Sequence, residues 1–194
     1  MSQTTKQALA DSLKKLLQKK PLDKITVTDI AEDCQVNRQT FYYHFRDIYD
    51  LVEWFYIREV SKLIDRDRSY ATWQEDLRRV FQYILDNRTL VLRTYPSASR
   101  DLLEEAIQHT LHQLLLDVVE DCAAGRAARQ VDKEFLARFY TYSLTGLILD
   151  WIGESMKEPP EAIIRRLDTL LSGTIPNTLA RFEETAGQDP QMAG

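Results

Sequence analysis

Apolar residues recur at helical spacing along almost the whole chain. In residues 7–20, four leucines at i, i+4, i+7 and i+8 share one face of an amphipathic helix: Leu9, Leu13, Leu16 and Leu17. Pro21 is expected to end that helix, because proline lacks a backbone N–H and clashes with the preceding turn. The sequence shows no strand-like alternation and no internal repeat, so it predicts an all-α protein.

Two short helices separated by a tight turn are predicted next. Thr26 and Asp29 have the spacing of a capping box, with Asp29 in place of the usual Glu or Gln. Asn37 is a residue type that caps a helix start, and Phe41 and Phe45 would anchor the helix that follows. Together with the first helix, these segments predict a helix-turn-helix arrangement in the first quarter of the chain.

The remainder is predicted to form longer helices. Five segments have helical period: 51–64, 73–88, 100–123, 132–156 and 161–173. We expect Asp47 and Thr72 to cap the first two, and Pro96 to interrupt the stretch between the second and the third. Gly173 and Pro176 are expected to end the last helix.

This order of elements predicts three units. Residues 1–46 would form the helix-turn-helix domain, 47–184 a larger helical domain, and 185–194 a disordered tail, because the tail is small and polar. Two cysteines, Cys34 and Cys122, are too few for a disulfide framework or a zinc site. With no apolar run that spans a bilayer and no signal core, the expected location is the cytoplasm.

The charge of the chain is unevenly distributed. Residues 1–50 carry a net charge of +1 and residues 51–194 a net charge of −6. A charge of +1 does not by itself identify a DNA-binding segment. The sequence has no glycine-rich phosphate loop, no G-x-S-x-G and no Cys/His pair with catalytic spacing. We therefore expect neither enzymatic activity nor a cofactor.

The candidate chemistry lies in the stretch NRQTFYYHF, residues 37–45. Arginine can bind guanine and glutamine adenine, threonine can contact a thymine methyl, and tyrosine and histidine suit phosphates. The candidate DNA-binding residues, which include two threonines at the preceding helix start, are Thr26, Thr28, Asn37, Arg38, Gln39, Thr40, Tyr42, Tyr43 and His44. The alternative is a solvated face of an ordinary helical bundle.

Residues 26–51 resemble the DNA-binding segment of the TetR family of bacterial regulators. The family pattern reads T-v-x-D-I-A, then a turn of a small residue, Gly and Val, then a helix ending Y-x-H-F, then x-x-K-x-x-L. It is matched in register by Thr26, Asp29, Ile30, Ala31, Val36, Tyr42, His44, Phe45 and Leu51. Gln35 replaces the turn glycine, so a non-glycine must adopt a left-handed conformation. Ile48 replaces a lysine that contacts phosphate in the family. The stretches YYHFRDIYDLVEW and GLILDWIGESMKEPPE further resemble the branch that includes regulators of dihydroxyacetone kinase operons.

This resemblance implies a transcription regulator that binds a palindromic double-stranded operator as a homodimer. It also implies control by a small-molecule effector or a co-regulator protein. Most of the family represses, and some of this branch activates, so the sign of regulation stays open. The alternative is a protein–protein interaction module with a degenerate helix-turn-helix, which Gln35, Ile48 and the weak positive charge favour.

In the larger domain the resemblance suggests a dimer interface and an effector pocket, and helical spacing groups three further residues of metal-ligand types. The expected dimer interface comprises Leu144, Leu147, Ile148, Trp151, Ile163, Leu167 and Leu170, with Gly146 and Gly153 allowing close helix approach. The expected effector pocket comprises Phe81, Tyr95, Phe139 and Tyr142. For both sets the alternative is intrachain core. Glu105, His109 and His112 share a helical face, but without a fixed fourth ligand we expect no metal there.

Overall fold

The computed structural model describes residues 2–61, 69–95 and 100–188. Within these ranges the chain forms ten α-helices and no strand, which confirms the all-α class. The helices are α1 (Ser2–Leu17), α2 (Val27–Asp33), α3 (Arg38–His44), α4 (Ile48–Ser61), α5 (Trp73–Asp86), α6 (Arg88–Thr94), α7 (Arg100–Ala123), α8 (Gln130–Gly153), α9 (Pro160–Leu171) and α10 (Thr174–Gln188). None of the described helices is both long and apolar enough to cross a bilayer.

Helices α1 to α3 form a three-helix unit around the leucines of α1. Leu9 and Leu13 are buried and share a core with Ile30 of α2 and Phe41 of α3. Helix α1 ends at Leu17, before Pro21, and a 3₁₀ turn over Leu22–Lys24 leads to α2. The predicted helix-turn-helix arrangement is confirmed.

Side-chain caps fix where the two short helices begin. Thr26 Oγ1 accepts a hydrogen bond from Asp29 N at 3.1 Å, and Asp29 Oδ2 accepts one from Thr26 N at 2.7 Å. The capping box predicted from the sequence is therefore present. Asn37 Oδ1 accepts from Thr40 N at 2.7 Å, which confirms Asn37 as the N-cap of α3.

The two caps predicted for the following helices have different outcomes. Asp47 Oδ1 accepts from Asp50 N at 2.9 Å and caps α4 as predicted. Thr72 occupies the N-cap position of α5 as predicted, but its side chain makes no cap bond to the helix. Its hydroxyl instead accepts from Ser69 N at 3.1 Å and is thereby used by the preceding loop.

The larger domain is built on the helical hairpin of α7 and α8. These two 24-residue helices are joined by a short loop and pack against each other. Helix α4 packs on α7, so it connects the three-helix unit directly to this hairpin. Helix α5 packs against α6, α7 and α9, and the short α6 also packs against α1.

The C-terminal region has one helix more than the sequence predicts. Helix α9 ends at Leu171, Gly173 turns the chain with a φ of +74°, and α10 follows. Pro176 lies in the first turn of α10, where its missing N–H costs no helical hydrogen bond, so it begins a helix instead of ending one. Helix α10 also includes 185–188, which were assigned to the tail. Residues 189–194 and Pro96 lie outside the described residues.

Candidate nucleic-acid interface

Helix α3 buries one side and exposes the other. Phe41 and Phe45 are 0% and 3% exposed and anchor the helix in the core of the three-helix unit. Four side chains lie exposed on the remaining surface: Arg38, Gln39, Tyr42 and Tyr43. Tyr43 is 82% exposed, which is unusual for an aromatic ring that packs only for stability. An α-helix of this kind fits the width of the major groove of B-DNA.

The turn before α3 has the left-handed conformation that the sequence predicts. Gln35 has a φ of +56°, and Val36 N donates back to Ala31 O at 2.9 Å to close the end of α2. A non-glycine residue at this φ is strained by about 1–2 kcal/mol. The turn nevertheless sets the angle between α2 and α3, and it does so without the glycine that the family pattern has at this position.

Two aromatic contacts organise the exposed surface of α3. Arg38 Nη2 donates to Tyr42 Oη at 3.4 Å, and the guanidinium carbon lies 5.9 Å from the centre of the Tyr42 ring. An arginine has five N–H donors, so this contact leaves others for a base edge or a phosphate. The rings of Tyr43 and His44 meet edge to face with their centres 4.9 Å apart.

Three other predicted DNA-binding side chains have local roles as well. The Thr26 hydroxyl donates to Asp29 Oδ2 at 2.7 Å, within the capping box. The Thr40 hydroxyl donates to Asn37 Oδ1 at 2.9 Å, and both Thr40 and His44 are half-buried. Thr28, by contrast, is exposed at the start of α2. Some of the polar side chains predicted to bind DNA are therefore already hydrogen-bonded in the caps of α2 and α3.

Two lysines, one in α1 and one in the loop after it, are paired with aspartates within the protein. Lys20 Nζ lies 2.9 Å from Asp29 Oδ2, and Lys15 forms an ion pair with Asp33. Hydrogen bonds from Thr26 and Lys20 lower the pKa of the Asp29 carboxyl to about 2. These pairs join α1 to α2 and hold the unit that presents α3, but they also reduce the positive charge available to DNA.

The structure divides the predicted dimer interface between core and surface. Five of its seven side chains are buried within the same chain: Leu144, Ile148, Trp151, Ile163 and Leu167. Only Leu147 and Leu170 of that set are exposed, at 45% and 69%. The five buried residues are therefore corrected to intrachain core, because a side chain already enclosed by its own chain offers little area to a partner.

The outer face of α8 carries a different apolar set. Its exposed residues follow helical spacing along the helix, and four of them are large and apolar or aromatic: Val131, Phe135, Phe139 and Tyr142. We call the face formed by these four residues the α8 outer face; Leu147 is exposed too, but lies about 80° or more around the helix from each of them. A Cβ added at Gly146 would meet no atom within 4 Å, whereas one at Gly153 would lie 3.1 Å from Tyr95 Oη of the same chain. Gly146 thus lies open, and Gly153 serves an intrachain contact.

The four residues predicted to line an effector pocket do not meet. Phe81 is buried against Trp151, with ring centres 4.9 Å apart, and Tyr95 Oη donates to Leu149 O at 3.1 Å. Phe139 and Tyr142 lie on the α8 outer face, each more than half exposed. The pocket assignment is therefore wrong, because α8 has apolar residues on both faces and the sequence does not show which face is inside.

A small, partly open cavity of about 20 Å³ does lie between α4, α5, α6 and α7. The surface that it exposes is apolar; Tyr56, Tyr83 and Thr110 are among its lining residues, but their hydroxyls contribute nothing to that surface. The Tyr83 hydroxyl is buried and has no hydrogen-bond partner among the described residues. Burial raises the pKa of Tyr83 well above its ordinary value, so this hydroxyl stays protonated and can act as a donor. Tyr83 is not among the four residues predicted for the effector pocket.

The candidate metal ligands lie in an open groove between α7 and α8. Glu105, His109 and His112 line it, and His112 Nε2 is 3.8 Å from Glu134 Oε2. Among the residues that the structure describes, no three His, Cys, Asp or Glu side chains are grouped so as to hold a metal ion.

Comparison with known proteins identifies the family. Residues 6–53 match the family described as bacterial regulatory proteins of the tetR family, and residues 71–173 match a transcriptional regulator C-terminal region. A relative, the HTH-type dhaKLM operon transcriptional activator DhaS of Lactococcus lactis subsp. lactis (strain IL1403), is 30% identical over 84 residues. That match spans 43% of this chain and 45% of the relative, less than half the length of either.

Solved structures share the whole fold. A structure described as dihydroxyacetone kinase operon activator DhaS is 21% identical, with a TM-score of 0.66 and coverage of 92% of this chain and 98% of that one. A TetR transcriptional regulator from Rhodococcus sp. RHA1 is 16% identical, with a TM-score of 0.63 over 90% and 99% of the two chains. At these sequence identities, structural similarity establishes only a shared fold. Membership of the family rests on the two matches to family models. The chain belongs to the TetR family of bacterial transcriptional regulators, a family of DNA-binding proteins and not of enzymes.

Proposed function

We propose that this regulator binds a palindromic operator as a homodimer, with one α3 in the major groove of each half-site. The observation that carries the proposal is the exposed surface of α3, whose opposite side is buried in its own unit. Arg38 would bind guanine and Gln39 adenine, each pair giving about 1–3 kcal/mol of discrimination. Tyr42, Tyr43 and Thr28 would contact phosphates. A protein that binds bacterial operators acts in the cytoplasm.

The α8 outer face is the proposed dimer surface, and Leu170 of α9 is a second exposed apolar residue from the predicted interface. Phe135, Phe139 and Tyr142 are each more than half exposed, and rings of this size are rarely left in water on a long helix. Contact between identical faces is the commonest form of homodimer. A two-fold dimer would present two copies of α3, as half-sites about 34–36 Å apart require.

The cavity beside Tyr83 is the proposed effector site. Its volume is about that of one water molecule, so a bound effector would have to widen it and displace α4, α5, α6 or α7. Its apolar surface favours an apolar molecule, and an acceptor on that molecule would reach the buried Tyr83 hydroxyl only once the site has widened. Movement of α4 would change the separation of the two α3 helices and hence operator affinity. A co-regulator protein that displaces the same helices is the second candidate for the signal.

Light scattering and operator binding of matched variants test this proposal. An operator is first selected from random duplexes by the wild-type protein. Phe139→Glu places a charge on the α8 outer face and should give a monomer that has lost tight binding to the palindrome. Gln82→Glu makes the same charge change at an exposed position of α5 and should remain a dimer. A wild-type monomer at micromolar concentration that still binds an isolated palindrome tightly would refute the proposal.

A protein–protein interaction module with a degenerate helix-turn-helix is the second candidate function. The pairing of Lys15 and Lys20 with aspartates favours it, because it reduces the charge available for phosphates. A gel shift with the region upstream of the protein's own gene, at low salt, separates the two. The absence of any shift for a dimeric protein would support the interaction module.

A further inference from the structure

At the C-terminal end of α1, the carbonyl of Leu17 receives no hydrogen bond from the residues that follow it in the chain. Lys19 N and Lys20 N both donate to Leu16 O, at 2.9 and 3.0 Å. The N–H that would continue the helical pattern to Leu17 O belongs to residue 21, which is Pro21 and has no N–H. The Leu17 carbonyl therefore needs a donor from elsewhere in the fold.

Arg93 of α6 supplies that donor from the larger domain. Its Nη1 donates to Leu17 O at 2.8 Å, across 76 positions of sequence. The contact is partly buried, and it places a positive charge at the negative end of the α1 dipole. A hydrogen bond from an ionised donor is about twice as strong as a neutral one. Arg93 therefore ties the three-helix unit to α6.

The two residues after Arg93 bind two other helices. The Thr94 hydroxyl is fully buried and lies 2.5 Å from Tyr56 Oη of α4. Tyr95 Oη donates to Leu149 O of α8 at 3.1 Å and lies over Gly153. One end of α6 thus contacts α1, α4 and α8, the helix that carries the proposed dimer surface.

We infer that Arg93 is a positioning residue for operator binding: it holds α1 at a fixed orientation to the dimer surface without touching DNA. Helix α1 packs on both α2 and α3, so a rotation of α1 also turns α3. Two copies of α3 must meet half-sites at one spacing, and freedom of orientation weakens that fit while leaving a single half-site unaffected. The inference rests on the proposed homodimer.

The test compares half-site spacings. The probes are the palindrome selected by the wild-type protein, versions with one base pair added or removed between the half-sites, and a duplex with one half-site. The wild type should lose about tenfold in affinity on a one-base-pair change, because each step rotates one half-site around the duplex. Arg93→Gln should bind the palindrome about tenfold more weakly, bind all spacings nearly alike, and bind the single half-site within about twofold of wild type.

A matched variant on the same helix separates positioning from stability. Arg88 Nη2 donates to Ser155 O at 3.0 Å, but both residues belong to the larger domain. Arg88→Gln should lose some thermal stability, less than Arg93→Gln because its contact is exposed, and should keep the wild-type dependence on spacing. Arg93→Lys keeps the charge without the reach of the guanidinium and should fall between wild type and Arg93→Gln. If Arg93→Gln does not fold, the lysine variant serves as the test.

Several outcomes overturn the inference. One is a wild-type spacing profile in Arg93→Gln, or in Arg93→Lys where that variant is the test. Another is an equal loss at the palindrome and the single half-site, which indicates general damage to the DNA-binding unit. A wild-type protein that selects no palindrome, or binds every spacing alike, refutes the proposed homodimer instead, so the two failures are distinct.

Discussion

Replacing Tyr83 with phenylalanine should make the protein more stable. The Tyr83 hydroxyl is buried beside the cavity between α4 and α7 and has no hydrogen-bond partner among the described residues. A hydroxyl removed from water without a partner costs about 1–3 kcal/mol, and phenylalanine removes only that oxygen. Because the Tyr83 side chain as a whole is only partly buried, we expect the lower end of this range. For a chain of this size, 1 kcal/mol raises Tm by about 2–4 °C.

Tyr56 provides the control on the same cavity. Its hydroxyl lies 2.5 Å from Thr94 Oγ1, and Thr94 in turn donates to Leu90 O at 3.1 Å. The Tyr56 hydroxyl is therefore the donor of a satisfied hydrogen bond. Tyr56→Phe should lower stability by about 0.5–1.5 kcal/mol, the net contribution of one such bond. The same chemical change at two tyrosines of one cavity should thus have opposite signs.

Thermal and urea unfolding at one protein concentration measure both effects, since the stability of a dimer depends on concentration. A lower Tm for Tyr83→Phe would show that the hydroxyl has a partner in solution, and the argument for an effector contact would fail. If the hydroxyl is kept for binding, Tyr83→Phe should also weaken the response of operator binding to any effector found by screening. If Tyr83→Phe is more stable and its operator binding still responds to the effector as in wild type, the hydroxyl has no role in effector binding.

Three further predictions concern the DNA-binding unit. Gln35→Gly should raise the free energy of unfolding by about 1 kcal/mol, because glycine adopts the positive φ without strain, and Gln35→Ala should give no such gain in the same urea experiment. The pKa of Asp29 in the folded protein, about 2, lies below its ordinary value, so its carboxylate stabilises the fold above about pH 4, and this contribution is lost as the pH falls toward 2. Asp29→Asn should therefore lower Tm at pH 7 and flatten its decline between pH 4 and pH 2, and a decline as steep as wild type would contradict this. Arg38→Ala should weaken operator binding by about 1–3 kcal/mol and relax specificity at one base position, whereas Tyr43→Phe should weaken binding to all sequences alike. Fluorescence anisotropy on operators with single-base changes measures both effects. A uniform loss for Arg38→Ala, or a loss confined to one base position for Tyr43→Phe, would contradict the prediction.

Local features of this protein can be predicted from its sequence. The caps at Thr26 and Asn37 depend on residues three positions away, and the buried side of α3 follows from the spacing of Phe41 and Phe45. The left-handed turn at Gln35 is expected from the resemblance to the family, which has a glycine at that position. Such features depend on neighbours along the chain, so a single sequence contains the information that determines them.

Packing decided the features that the sequence leaves open. Phe139 and Tyr142 lie outside while Leu144 and Ile148 lie inside, although all four belong to one helix that is apolar on both faces. Helical period cannot choose between two apolar faces, and only the position of α7 shows which is covered.

The sequence by itself determined the helical class, the helix-turn-helix and the polar face of α3, because local hydrogen bonding and side-chain period specify them. Only the tertiary structure decided the cavity beside Tyr83, the exposed α8 outer face and the bond from Arg93 to Leu17. Each of these depends on residues far apart in the chain meeting in space. That encounter is set by how the whole core packs and not by any local pattern.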